Sequence, residues 1–256
     1  MRARTLALIG VAGYLVFLAA QLPAGFVLAR MRVPQAEFTE AEGTAWSGSA
    51  RATLRTPQGP VELDRLTWRL RPARLLFGRI AYDVTAVAKG LDARGRLERG
   101  FAATELRDLE ARAEATALAL FAPLVATWQP QGAIVATAPS LAWDGAELRG
   151  EGRVEWRGAS VALSQVRPLG SYRGELKGAG GPAKIVLTTL EGPLRLAGDG
   201  SLTAQGRFAF SGEARGEGAA AAALEPLLDL IEPSARHPLE RFRELERKSG
   251  TDHHFR

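Results

Sequence analysis

Cysteine is absent from the 256 residues of this chain. That absence excludes a disulfide framework, a thiolate metal site and a cysteine nucleophile, and it fits an oxidising compartment. Histidine is scarce as well, with only His237, His253 and His254. No Glu-x-x-His or His-x-x-x-His spacing frames them, so the sequence predicts no metal site.

Sequence motifs that carry catalysis are also missing. Ser47 lies in TAWSGS, which lacks the glycines of a G-x-S-x-G nucleophile elbow. GAGGPAK at 178–184 departs from a phosphate-binding loop, because Ala183 replaces the last glycine and Ile185 replaces the magnesium-binding hydroxyl. The carboxylates form no evident acid–base pair. We therefore expect no catalytic residue and no cofactor, and we predict that the protein is not an enzyme.

Charge of one sign is not concentrated anywhere in the chain. The net charge is +5, but segments such as RGRLERG at 94–100 mix both signs. Aromatic residues make up only 7% of the sequence. A nucleic-acid groove favours a basic patch with interleaved aromatics, so we expect no nucleic-acid partner. Mixed charge predicts a solvated surface instead.

Long apolar runs are absent except for one. Residues 5–29 carry no charge, and Arg4 and Arg30 bracket them. A helix of this length crosses a hydrocarbon core of about 30 Å, so we predict a transmembrane anchor in contact with membrane lipid. The alternative is a cleaved signal peptide, which favours a shorter apolar core and a better cleavage site. Arginines flank both ends, so charge alone leaves the orientation open.

Alternating apolar residues dominate the rest of the chain. Ile80, Tyr82 and Val84 share one phase, and Leu202, Phe208 and Phe210 share another. Period two with one apolar face indicates antiparallel strands with one wet face. The predicted strands are 33–40, 49–56, 61–70, 78–88, 92–100, 133–143, 146–156, 160–166, 172–177, 183–190, 193–198 and 201–212. The predicted fold is mainly β, with one N-terminal transmembrane helix, a curved, largely antiparallel multi-stranded sheet and one to three short helices.

Turn and bulge signals fit this pattern. Asp144-Gly145 and Asp199-Gly200 are suited to type I′ hairpins, and PQGP at 57–60 predicts another turn. The apolar phase slips within VELDRLTWRL at 61–70, and a bulge near Arg65 would restore it.

Helical patterns are few. The stretch 106–124 has apolar residues at spacings of three and four, although its first half is also compatible with a strand. AAAAALEPLLDLIE at 219–232 predicts a helix interrupted by Pro226, and 237–248 predicts a short charged helix. The predicted organisation is a short N-terminal tail at 1–4, the anchor at 5–29, a β-rich domain at 30–235 and a charged tail at 236–256.

Four segments in order resemble the type II secretion system protein N family (general secretion pathway protein N). They are GTAWSGSA at 43–50, LTWRLRPARLLFGRIAYDV at 66–84, VEWRGASVALSQVRPLGSY at 154–172 and LTTLEGPLRLAGDGSL at 187–202. The resemblance implies an accessory, non-catalytic component that assists export of folded proteins across the outer membrane. It implies a single-pass protein of the Gram-negative inner membrane, with the tail at 1–4 in the cytoplasm and the domain at 30–235 in the periplasm. The implied partners are inner-membrane platform proteins and the outer-membrane secretin.

The first two of these segments supply our candidate structural or partner-contact residues. They are Trp46, Gly48, Trp68, Pro72, Leu75, Leu76, Phe77 and Gly78. The residues from Arg74 to Phe77 predict a short turn that plugs the sheet edge. The simpler interpretation of all eight is core packing.

Two functional hypotheses remain open. The first is a secretion scaffold that binds partners through sheet edges. The second is an anchored lipid-binding or lipid-transfer protein with an apolar groove. The sequence leaves undecided the direct partner, the oligomeric state and whether the sheet closes on itself.

Overall fold

The computed structural model describes residues 10–11, 13–14, 17–30, 36–56, 59–120 and 127–236. Its described strands are β1 Ala36–Gly43, β2 Ser47–Thr56, β3 Gly59–Leu70, β4 Ile80–Ala88, β5 Leu91–Arg99, β6 Thr104–Glu114, β7 Gln131–Trp143, β8 Leu148–Ser160, β9 Gly170–Ala179, β10 Ala183–Glu191, β11 Leu194–Leu202 and β12 Phe208–Gly216. Its described helices are α1 Ala24–Arg30, α2 Pro72–Leu75 and α3 Ala221–Arg236, with 3₁₀ turns at Ala115–Leu120 and Gly218–Ala220.

All twelve strands form one antiparallel sheet in which the spatial order follows the chain order. Each strand pairs with the strands before and after it, so among the described strands β1 and β12 have one partner each. The prediction of a mainly β, antiparallel protein is confirmed. A sheet whose strand order follows the chain needs only short connections, because each strand pairs with the next one in sequence.

The two faces of the sheet differ in polarity. Val84 lies opposite Trp68, and Tyr82 lies opposite Leu97, on one face. Asp83 lies opposite Arg96 on the other. The same alternation continues along the sheet, so one face is apolar and the other carries ion pairs.

The predicted bulge in β3 is confirmed. Ala50 pairs with Leu66 and Ala52 with Leu63, so Asp64 and Arg65 together oppose a single residue of β2. The extra residue brings Leu63 and Leu66 to the same face despite their odd spacing.

The best-enclosed core lies where α3 packs on the apolar face. Leu224 and Leu227 of α3 contact Val161, Leu169 and Leu194, all at most 9% exposed. The predicted interruption at Pro226 is wrong, because α3 runs through it. Packing of Leu224 and Leu227 against the sheet offsets the hydrogen bond that the proline cannot donate.

Three other local predictions need correction. Asp199-Gly200 lies within β11, and the hairpin turn falls at 203–207, where the Thr203 amide donates to the Arg207 carbonyl. The predicted strand at 160–166 is irregular after Ser160. The first half of the 106–124 pattern is strand β6, the alternative left open for it, and its second half begins with a 3₁₀ turn at Ala115–Leu120 instead of an α-helix, while 121–124 lie outside the described residues. Cross-strand pairing overrode the local turn and helix signals in the first and third cases.

The N-terminal segment is interrupted near the sheet. Helical conformation at 17–20 gives way to a turn at Gln21, and α1 begins only after Pro23. Proline disfavours helical geometry at the residue before it, which explains the break in the predicted helix at 5–29. Within the described residues, no helix has both the length and the apolar character needed to cross a bilayer. The helix predicted at 237–248 lies outside the described residues.

Candidate functional site

The candidate residues gather at one end of the sheet. In a meander every second turn returns to the same end, which brings together the turns at 44–46, 71–79, 100–103, 144–147, 180–182 and 203–207. We call this the proximal end. The opposite, distal end includes the turn at Lys89–Gly90.

The apolar N-terminal segment is attached to the proximal end. The Trp46 indole N–H donates to the Ala19 carbonyl at 2.7 Å, and the Ala45 amide donates to the Leu22 carbonyl at 2.8 Å. Pro23 forms an isolated bridge with Thr44. These contacts fix the β1–β2 turn to the residues that precede α1.

Trp46, Gly48 and Trp68 form one cluster beside this attachment. The Trp68 indole N–H donates to the Thr44 carbonyl at 3.2 Å, and the Leu70 amide donates to the Trp46 carbonyl at 2.6 Å. A Cβ on Gly48 would lie 2.7 Å from the Trp68 ring. Glycine is therefore required for the ring to lie across β2.

Pro72 to Gly78 form α2 and the turn that follows it. Pro72 occupies the start of the helix, where its missing N–H costs no hydrogen bond. Gly78 has φ +66°, and a Cβ there would lie 2.8 Å from the Phe101 ring of the next proximal turn. The two turns therefore touch.

The predicted plug at this edge is wrong. Leu75, Leu76 and Phe77 are 46%, 85% and 76% exposed, and Phe101 is 96% exposed. These side chains project from the proximal end instead of filling a core. Phe101 was missed because a single phenylalanine between Gly100 and Ala102 carries no periodic signal.

A buried carboxylate lies beneath the two turns. Glu98 is 1% exposed, and its oxygens lie 3.5 Å from Arg74, 3.6 Å from Arg79 and 4.0 Å from both Arg96 and Arg107. Neither oxygen accepts a hydrogen bond. The mixed charge of RGRLERG predicted a solvated surface, and for Glu98 that prediction is wrong. Glu98 lines a pocket of about 320 Å³ together with Phe77 and Phe101.

The neighbouring carboxylates are better paired. Burial raises the pKa of Asp83, but hydrogen bonds from Arg71 and Arg96 outweigh it, so the pKa lies below its ordinary value. Burial likewise raises the pKa of Glu105, and hydrogen bonds from Ser140 and Arg107 bring it below its ordinary value. Both groups are therefore anionic at neutral pH and neutralise arginines on the polar face.

Together these features define a class of protein: one extended antiparallel sheet whose candidate site is an arginine-rich, apolar-tipped surface. Within the described residues, no cluster of three or more potential metal-ligating side chains occurs.

The chain belongs to a known family. The family model for type II secretion system (T2SS), protein N, matches residues 34–234, which include every strand of the sheet. The chain is thus a component of type II secretion, and this family is an accessory one that is not known for enzymes. No curated protein and no solved structure matches the chain.

Proposed function

We propose that this protein is an accessory inner-membrane component of the type II secretion machinery, with its sheet in the periplasm as a scaffold for export of folded proteins. The observation that carries the proposal is the family match, which spans the sheet and nearly all of α3. The partners we propose are inner-membrane platform proteins and the outer-membrane secretin.

The anchor in this proposal is the uncharged N-terminal stretch. Because Gln21 forms a turn and the Leu22 carbonyl accepts from the Ala45 amide, the part left to cross the bilayer as a helix is 5–20. At 1.5 Å per residue this part covers about 24 Å, and a bilayer accommodates such a short span by local thinning. The amino terminus would then be cytoplasmic and the sheet periplasmic.

The unequal edges of the sheet support a scaffold role. Edge strand β1 carries Glu37, Glu40 and Glu42, is bulged at 39–42 and is flanked by α1. Edge strand β12 pairs regularly with β11, and its first half, 208–212, is exposed and uncharged. Charge, bulges and a flanking helix protect an edge from further pairing. Because α3 lies against β12 near Gly216, the exposed first half of β12 is the stretch open to a partner strand.

Gene deletion with complementation tests the proposal. Deleting the gene should leave secretion substrates in the periplasm, and the full-length gene should restore export. A chain carrying Phe208→Pro tests the β12 edge. The Thr203 amide donates to Arg207 and the Glu217 amide to Pro193, so by register the odd-numbered residues of β12 bond to β11 and the Phe208 amide faces the open edge. Phe208→Pro should therefore reduce export, whereas Phe208→Ala, the matched control that keeps the amide, should not. Wild-type export in the deletion strain would refute the proposed function.

A second candidate function is the binding of lipid acyl chains on the apolar face. One observation favours it: in the middle of the sheet, Leu97, Trp143 and Val154 remain 44–47% exposed on that face. A contiguous exposed apolar surface is typical of a binding site. Native mass spectrometry of gently extracted protein should then detect bound phospholipid, whereas a ligand-free spectrum would count against this candidate.

A further inference from the structure

We propose that the proximal end of the sheet rests on an anionic membrane surface, with Leu76, Phe77 and Phe101 inserted into the lipid interface. The proposal depends on the anchor in the proposed function. It assigns a lipid-contact role to two turns that nothing else in the fold explains.

The apolar part of this surface comes from two touching turns. Leu76, Phe77 and Phe101 are 76–96% exposed, and Gly78 lets the Phe101 ring approach the 71–79 turn. Large apolar side chains at adjacent loop tips form a patch that water solvates poorly. Aromatic and leucine side chains are the ones that interfacial membrane segments bury.

The charged side chains on the two turns themselves are all basic. Segments 70–80 and 99–104 contain Arg71, Arg74, Arg79 and Arg99 and no acidic residue. Arg74 lies 3.5 Å from the buried Glu98, and Arg79 lies 3.6 Å from Glu98 and 3.7 Å from Glu105; both side chains remain 38–47% exposed. Their exposed N–H groups can therefore bind lipid phosphates, while Glu98 holds both arginines beside the apolar tips. Arginines next to inserted apolar groups favour anionic lipids.

The position of the patch identifies the membrane as its occupant. Ala19 and Leu22 hydrogen-bond to the 44–46 turn, and the Trp46 carbonyl accepts the Leu70 amide that leads into the 71–79 turn. The apolar N-terminal segment and the patch thus share one end of the sheet. A bilayer that contains the N-terminal segment therefore lies next to the patch. A partner protein could cover the patch only by displacing lipid from this position.

Site-directed spin labelling tests this directly, because the chain has no cysteine. Full-length Phe77→Cys and Phe101→Cys, each with a nitroxide label, are reconstituted into vesicles of phosphatidylcholine with phosphatidylglycerol. Lys89→Cys at the distal turn is the matched control. Power saturation with oxygen and a water-soluble nickel complex should place labels 77 and 101 about 5–10 Å below the phosphates, with label 89 in water. Circular dichroism verifies that each labelled variant is folded.

A second set of measurements tests whether insertion requires the arginines and anionic lipid. Arg74→Gln with Arg79→Gln, or vesicles of phosphatidylcholine alone, should move label 101 toward water. Labels 77 and 101 as water-accessible as label 89 in both vesicle types would overturn the proposal. Labels that are shielded only in envelopes containing the whole secretion machinery would also overturn it, and would assign the patch to a protein. Water-accessible labels with intact complementation refute only this inference, whereas inserted labels with wild-type export in the deletion strain refute only the proposed function.

Discussion

Replacing Gly48 by alanine should destabilise the sheet through a steric conflict that the structure defines. The new Cβ would lie 2.7 Å from the Trp68 ring and would also collide with the Glu42 carbonyl. Trp68 cannot simply rotate away, because its indole N–H donates to Thr44. Overpacking of this kind costs about 1–3 kcal/mol.

The matched control is Gly174→Ala, also on the apolar face and within a strand. Its new Cβ would have 4.0 Å to its nearest neighbour, the Val154 carbonyl. Alanine there should be neutral or stabilise by up to about 1 kcal/mol, because glycine loses more backbone entropy on folding.

Thermal unfolding of the full chain in detergent, followed by circular dichroism, measures both variants. For a domain of this size, 1 kcal/mol shifts Tm by about 2–4 °C, so Gly48→Ala should lower Tm by about 2–12 °C. Equal Tm values for the two variants would refute the reasoning, since the Trp68 ring would then be free to move.

Three further predictions concern the core and the ion pairs. Leu224→Ala removes a fully buried side chain from the core cluster of Val161, Leu169 and Leu194 and should cost about 3–5 kcal/mol, measured by urea unfolding. Hydrogen bonds from Arg157 and Arg173 hold the pKa of Glu155 below its ordinary value of 4.5, so its contribution is present above that pH and is lost as pH falls through the folded pKa. Arg173→Gln should therefore reduce the loss of Tm on acidification below pH 4.5, and an unchanged acid profile would contradict this. Glu98→Gln should lower the free energy of unfolding by about 1–3 kcal/mol by leaving arginines uncompensated, and a stabilised variant would contradict it.

The strands could be predicted because their signal is local. Tyr82 and Val84 alternate with the polar Asp83 and Thr85, and the slip of phase in β3 required a bulge at Arg65. The prediction of a hairpin turn at Asp199-Gly200 was wrong for a non-local reason. Gly198 and Gly200 lie beneath the Phe210 ring, which a Cβ at either position would meet within 2.8 Å. Glycine there serves cross-strand packing, and the sequence alone does not separate this use from a turn.

The candidate site was only half visible in the sequence, for a topological reason. GTAWSGSA and the Pro72–Gly78 segment each stood out, but their adjacency depends on the number of strands between them. Because two strands separate the 44–46 turn from the 71–79 turn, both return to the proximal end, and Phe101 arrives there after two more strands. Missing or adding one strand, as at 106–114, would send every later turn to the wrong end. Phe101 can be recognised as part of the site only once the number of preceding strands is correct. The sheet topology, and not the sequence around Phe101, places it beside Phe77 and the arginines.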